Sequence, residues 1–111
     1  MRRYLFLLLA MMTMTAHAAH ESCVDCHVDA APQASSAALS NAVPQLCLQC
    51  HADRVAPGEH RIDVAPQNAV PSSLPLVNGL VSCTTCHDAH LKTVGATRLA
   101  PPQLCTACHP Q

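Results

Sequence analysis

The 111 residues include eight cysteines, and these fall into four copies of one pattern, C-x-x-C-H, beginning at Cys23, Cys47, Cys83 and Cys105. Each copy commits two thiols and one imidazole to five residues of chain. Eight Cys in a small exported chain would ordinarily suggest four disulfides, and paired C-x-x-C would suggest zinc. Neither reading accounts for a His directly after every second Cys. The complete pattern is the attachment signature of c-type haem. Two thiols three positions apart can reach the two vinyl groups of one porphyrin, and the adjacent imidazole can turn under the ring to the iron. The expectation is therefore four covalently bound haem c groups, held at Cys23, Cys26 and His27; Cys47, Cys50 and His51; Cys83, Cys86 and His87; and Cys105, Cys108 and His109. The four motif His are the expected proximal iron ligands.

What surrounds the motifs fits a core that is not made of side chains. The chain opens on Met1-Arg2-Arg3-Tyr4, continues with an unbroken apolar run over residues 5–12, and reaches Ala16-His17-Ala18. That order reads as a secretory signal peptide spanning residues 1–18, with cleavage before Ala19. The apolar run is far short of the roughly 20 residues a spanning helix needs. The expected mature chain, residues 19–111, thus has no transmembrane segment and is periplasmic or extracellular. It also has no Phe, Tyr, Trp or Met, because Tyr4, Phe6 and all four Met lie in the signal. A domain this small buries a limited fraction of its surface, and here Leu and Ile are its largest apolar side chains. With one haem for about 23 residues, the porphyrins themselves are expected to form the core and the peptide to wrap them.

Charge narrows the partners. The mature segment carries four basic residues (Arg54, Arg61, Lys92 and Arg98) against seven acidic ones, which leaves nucleic-acid binding without a basis. Haem propionates would add further negative charge, so redox protein partners with basic surfaces are expected. A homo-oligomer or a larger multihaem complex also fits.

The motifs are ordered as two pairs. Residues 22–27 read S-C-V-D-C-H and residues 82–87 read S-C-T-T-C-H; residues 44–51 read P-Q-L-C-L-Q-C-H and residues 102–109 read P-Q-L-C-T-A-C-H. This is an internal duplication, with two-motif units at about 19–54 and 79–111. The joining segment, residues 55–78, holds Pro57, Pro66, Pro71 and Pro75, which forbids a long helix. At its end Asn78-Gly79 sits between apolar pairs, the strongest short-range hairpin signal, so one small β-hairpin is expected near residues 76–81. Residues 31–42, rich in Ala, Gln and Ser, suggest a short helix ending before Pro44. Sustained periodicity is absent. The fold class is thus a small haem-dominated chain with little regular secondary structure and short helices at the motifs.

Second axial ligands are limited by counting. Outside the motifs the mature segment offers only His20, His60 and His90, and no Met. These three His are the candidate distal iron ligands, one fewer than the irons. His/His ligation without Met points to low potentials. The repeat suggests where the shortfall lies: His90 stands three residues after His87, and the matching place after His27 is Ala30. The first half is therefore expected to hold the haem without a second His.

From Leu74 to His90 the sequence L-P-L-V-N-G-L-V-S-C-T-T-C-H-D-A-H, followed by Leu99, Pro102 and Leu104-Cys105, resembles the doubled C-x-x-C-H motif family of multihaem cytochromes. His60 is placed like the upstream distal His of that family. The resemblance covers residues 58–109 closely and the first half through the repeat. It departs at Ala89, where the family commonly has Pro, and at Ala30. It implies closely stacked haem pairs, His/His ligation and respiratory electron transfer outside the cytoplasmic membrane. The reading is of a non-enzymatic electron carrier. Two alternatives are a subunit of an extracellular cytochrome filament or redox enzyme complex, and a small reductase acting at one open haem. The last is disfavoured by a mature segment with no Tyr, one Lys and three Arg to supply acid and base groups.

Overall fold

The structure, a computed structural model, describes residues 20–34 and 37–111. The expected signal peptide and its cleavage point lie outside the described residues. Regular structure is sparse. Three short α-helices, α1 (Gln45–Leu48), α2 (Cys83–Cys86) and α3 (Pro101–Thr106), alternate with single 3₁₀ turns at Cys23–Asp25, Ala52–Val55 and Val94–Ala96. Among the described residues there are isolated β-bridges and no sheet.

The helices form where the motifs are. In every copy the His amide donates to the carbonyl of the first Cys: His27 to Cys23 at 2.8 Å, His51 to Cys47 at 3.0 Å, His87 to Cys83 at 2.9 Å and His109 to Cys105 at 2.8 Å. This is the i→i−4 bond of one α-turn. Pro101 and Pro102 open α3, where a missing N–H leaves no helical bond unmade. In the two S-C-x-x-C-H copies the Ser amide donates to the side chain three residues on, Ser22 to Asp25 Oδ2 at 3.3 Å and Ser82 to Thr85 Oγ1 at 2.9 Å. Both satisfy a donor at the mouth of the turn.

The sequence repeat recurs as repeated hydrogen bonds. Ser40 N–H donates to Cys26 O, and Arg98 N–H donates to Cys86 O; Val28 N–H donates to Ala38 O, and Asp88 N–H donates to Ala96 O. The bridges His27–Leu39 and His87–Thr97 follow the same relation. A strap from later in the chain thus lies antiparallel across each of these two motifs and holds the residues around its His.

That strap overturns the helix expected over residues 31–42, since none of the described residues there is helical. Ala38 and Ser40 spend their backbone groups on the first motif instead of on one another. The hairpin expected at 76–81 is reduced to its turn. Asn78 and Gly79 are both left-handed, with φ of 52° and 80°, and Val77 and Leu80 exchange both backbone bonds at 2.9 and 3.0 Å. The ladder stops there because Val81 pairs elsewhere: its amide donates to Val64 O, and its carbonyl accepts from Asp63 N–H.

Only Pro44, Leu74, Val81, Ser82 and Thr85 are buried among the described residues. Leu74, at 2 % exposure, is the most deeply buried apolar side chain among the described residues. Leu74→Ala is expected to lower holoprotein stability by about 2–4 kcal/mol, measured as a reduced denaturant midpoint with haem content unchanged. Elsewhere aliphatic side chains such as Val24, Val28, Leu39 and Val55 stay open, which fits a chain whose apolar surface is shaped for a prosthetic group.

Candidate functional site

The four α-turns fix the local geometry of each motif. Residues three and four apart share one face of a helical turn, so each turn presents both thiols and the imidazole together. All eight sulfurs are unbridged. The motifs also adjoin one another. Burial, followed by the neighbouring Cys83 and Cys26 thiols, pushes Cys47 up to about 11. Burial and then Cys108, Cys105 and Cys83 raise Cys86. The second motif therefore neighbours the first and third through its sulfurs, and the third neighbours the fourth. No three His, Cys, Asp or Glu side chains among the described residues converge as ligands of a single ion.

The imidazoles are arranged in pairs, and every pair joins a motif His to a non-motif one. Ring centroids of His20 and His51 are 6.1 Å apart, those of His27 and His90 are 6.1 Å apart, and those of His60 and His109 are 6.2 Å apart. A His nitrogen lies about 2.0 Å from a bound metal and the ring centre roughly 1.1 Å beyond it, so trans imidazoles on one ion hold their centres about 6.2 Å apart. Three separate pairs meet that spacing, and in each the rings are too far apart for a hydrogen bond with each other. The residues present fit haem iron at three motifs.

Further contacts orient the rings. His90 Nδ1 lies 3.2 Å from Asp88 Oδ1, which also accepts from the His90 amide at 3.0 Å. That amide, with Arg98 Nη1 at 3.4 Å, holds the Asp88 carboxyl below the usual carboxylate range. Its charge, and with it the anchor, is present at neutral pH and is lost as the pH falls through the depressed value. His60 Nδ1 lies 2.9 Å from Arg61 O, and His87 Nδ1 lies 2.6 Å from Gly95 O. A carbonyl can only accept, so in both rings Nδ1 carries the proton and Nε2 is left as the metal-facing donor. His27 Nδ1, by contrast, is buried with no partner.

A cleft of about 420 Å³ runs between the first two motifs. Its walls include Cys23, Cys26, Cys47 and Cys50, the imidazoles of His20, His27, His51, His87 and His90, and the apolar Pro32, Leu39, Val43 and Leu46. Thiols, iron-type donors and aliphatic walls in one cleft are what a porphyrin requires. A second cleft of about 400 Å³, formed by residues 55–62, surrounds His60.

All three non-motif His named from the sequence are thus brought to motif His. The expected position of the shortfall is not: both first-half motif imidazoles have partners, and among the described residues no ring stands at that distance from His87. Asp88 is the reason, because it holds His90 turned towards His27 in the other half. Sequence reading also missed Arg98, whose Nε donates to Thr84 O at 2.8 Å and whose amide donates to Cys86 O at 2.8 Å. This one side chain straps the third motif from the position next to the second-half bridge at Thr97, and no motif in the sequence marked it. The Gly95 carbonyl left no sequence signal beyond a Gly in the loop after His90.

No helix among the described residues is long and apolar enough to cross a membrane. No curated protein and no solved structure matches the chain. Residues 16–110 match the family described as cytochrome c3, through the first half as well as the second. The chain therefore belongs to the cytochrome c3 family of multihaem c-type cytochromes, whose members are generally electron carriers.

Proposed function

We propose that this chain is a tetrahaem electron carrier, exported by a cleaved signal peptide at residues 1–18, that passes electrons between respiratory redox partners outside the cytoplasmic membrane. The observation that carries the reading is the common 6.1–6.2 Å separation of three imidazole pairs, each containing one motif His. When bound, the haems supply the one-electron ferric/ferrous couple. The chain's part is attachment, ligation and spacing. Cys23 and Cys26, Cys47 and Cys50, Cys83 and Cys86, and Cys105 and Cys108 form the thioether links. His27, His51, His87 and His109 are the proximal ligands, and His90, His20 and His60 complete the first, second and fourth sites. Asp88 holds the proton on Nδ1 of His90, so that Nε2 stays a neutral donor.

His/His coordination without Met supports low potentials. The run of sulfur neighbours from the first motif to the fourth supports a continuous path, with the two-motif units at about 19–54 and 79–111 joined by residues 55–78. An acidic peptide with added propionates supports partners that present basic surfaces, where encounter rates fall as salt rises.

Intact mass tests the assignment: the 93-residue chain plus four haems is expected, and free thiols or bound zinc would sink it. The ring planes supply a second test. His27 with His90 and His20 with His51 are near-parallel, at 21° and 28°, whereas His60 with His109 is at 65°. Crossed axial planes leave the iron d orbitals closer in energy than parallel ones, so the fourth-motif haem is expected to give the low-spin ferric resonance with the largest principal g value. That resonance should disappear in His60→Ala while the others persist.

A further inference from the structure

We propose that the haem of the third motif is an open site: among the described residues His87 is its only imidazole, and the opposite face of the iron would take a small exchangeable donor molecule. The inference rests on the tetrahaem reading above and adds which iron is accessible. His27, His51 and His109 each face a second ring at 6.1–6.2 Å. Every non-motif His among the described residues is used in those pairs, and His87 is left over. His90, the ring nearest to it in sequence, is held away by two contacts to Asp88 Oδ1. His87 is itself firmly held. Its Nδ1–H donates to Gly95 O at 2.6 Å, the flanking Asp88 amide donates to Ala96 O at 2.8 Å, and the Arg98 amide donates to Cys86 O at 2.8 Å. The left-handed Gly95 and Ala96, with φ of 77° and 47°, turn the loop so that this carbonyl meets the ring.

A short bond from Nδ1–H to a carbonyl makes an imidazole a stronger donor through Nε2. It therefore supports a proximal ligand that can hold iron without help from the opposite face. The contrast with His27, whose Nδ1 has no partner and whose ring faces a second His, is that of an anchored single ligand against one of a pair. An iron with one strong imidazole and no second one binds small σ-donors: carbon monoxide when ferrous, cyanide or free imidazole when ferric.

The test uses the mature holoprotein, after intact mass has established four haems and the N-terminal residue. If that mass fails, the tetrahaem reading fails and not merely this one. With four haems present, carbon monoxide titration of the reduced protein is expected to reach one equivalent per chain. Before the gas is added, a five-coordinate ferrous haem is paramagnetic and the His/His haems are diamagnetic. Amide resonances of residues 83–97 in the ¹⁵N-labelled protein are therefore expected to be broadened, and to sharpen when carbon monoxide binds. His90→Ala should raise the stoichiometry to two and bring the first-motif residues into the broadened set. A fully diamagnetic reduced protein that takes up no carbon monoxide would overturn the proposal, whether the ligand proves to be His17 retained by a different cleavage, the N-terminal amine or a second copy's side chain. Broadening centred on the first two motifs would overturn it equally, by returning the open iron to the first half.

Discussion

Produced without haem attachment, the mature chain is expected to show no cooperative thermal transition and a circular dichroism spectrum of unfolded peptide. Ordering each residue costs conformational entropy that burial must offset. Among the described residues the buried set is Pro44, Leu74, Val81, Ser82 and Thr85, two of them polar, and Ser82 Oγ is buried without a hydrogen-bond partner. The helices are single turns of four to six residues, far below the length at which an isolated helix holds in water. Their ends and the cleft walls at Leu39, Val43 and Leu46 acquire apolar neighbours only when a porphyrin lies between them. The effect expected is complete loss of fold, larger than any single substitution could cause. Haem-free protein that melted cooperatively, or that resisted limited proteolysis as the holoprotein does, would show that the peptide has a core of its own.

Replacing His90 by Met is expected to produce the largest change in function with the fold kept. Met in place of His raises a haem potential, and since axial ligands move potentials over about 0.8 V, a rise on the order of 100–300 mV is expected for one haem. The ring pairing assigns that haem to the first motif, through His27 at 6.1 Å. His20→Met should act on the second motif, through His51, and His60→Met on the fourth, through His109. Each variant should shift one of the macroscopic potentials strongly in an optical redox titration and the rest slightly, by changed charge interaction. An unchanged set of potentials in His90→Met would remove His90 from the ligands. Asp88→Asn should give a milder version, since it leaves an oxygen to accept from His90 Nδ1–H but removes the negative charge that strengthens the donor.

The place of the ligand shortfall shows the limit of counting. The number of His outside the motifs and the expected signal peptide is a property of composition, and three was legible at once. Placing the missing one by repeat position assumed that His90 serves the motif it follows. In the fold the side chain at position 90 reaches the first half instead, because Asp88, itself held by Arg98, accepts from both its amide and its ring. Residues 31–42 failed for a related reason. Their composition permits a helix, but the first motif offers Cys26 O and Val28 N–H to the passing chain, and Ser40 and Ala38 take them. Intrinsic helix preference over a short segment is weak against bonds of this kind.

By itself the sequence determined everything that lies within one helical turn. Five residues of C-x-x-C-H close from the first Cys carbonyl to the His amide in all four copies, and so the grouping of two thiols with one imidazole is local and independent of the rest of the chain. The type I′ character of the Asn78-Gly79 turn is local in the same way, since only residues tolerant of positive φ fit there. The tertiary structure alone decided which imidazole faces which. His27 and His90 are 63 positions apart in the chain and 6.1 Å apart in space, and that approach depends on where two straps, a proline-rich link and an Asp–His contact leave the backbone. Periodicity and motif spacing carry no information about such a distance, because it is set by the sum of many turns and not by any one of them.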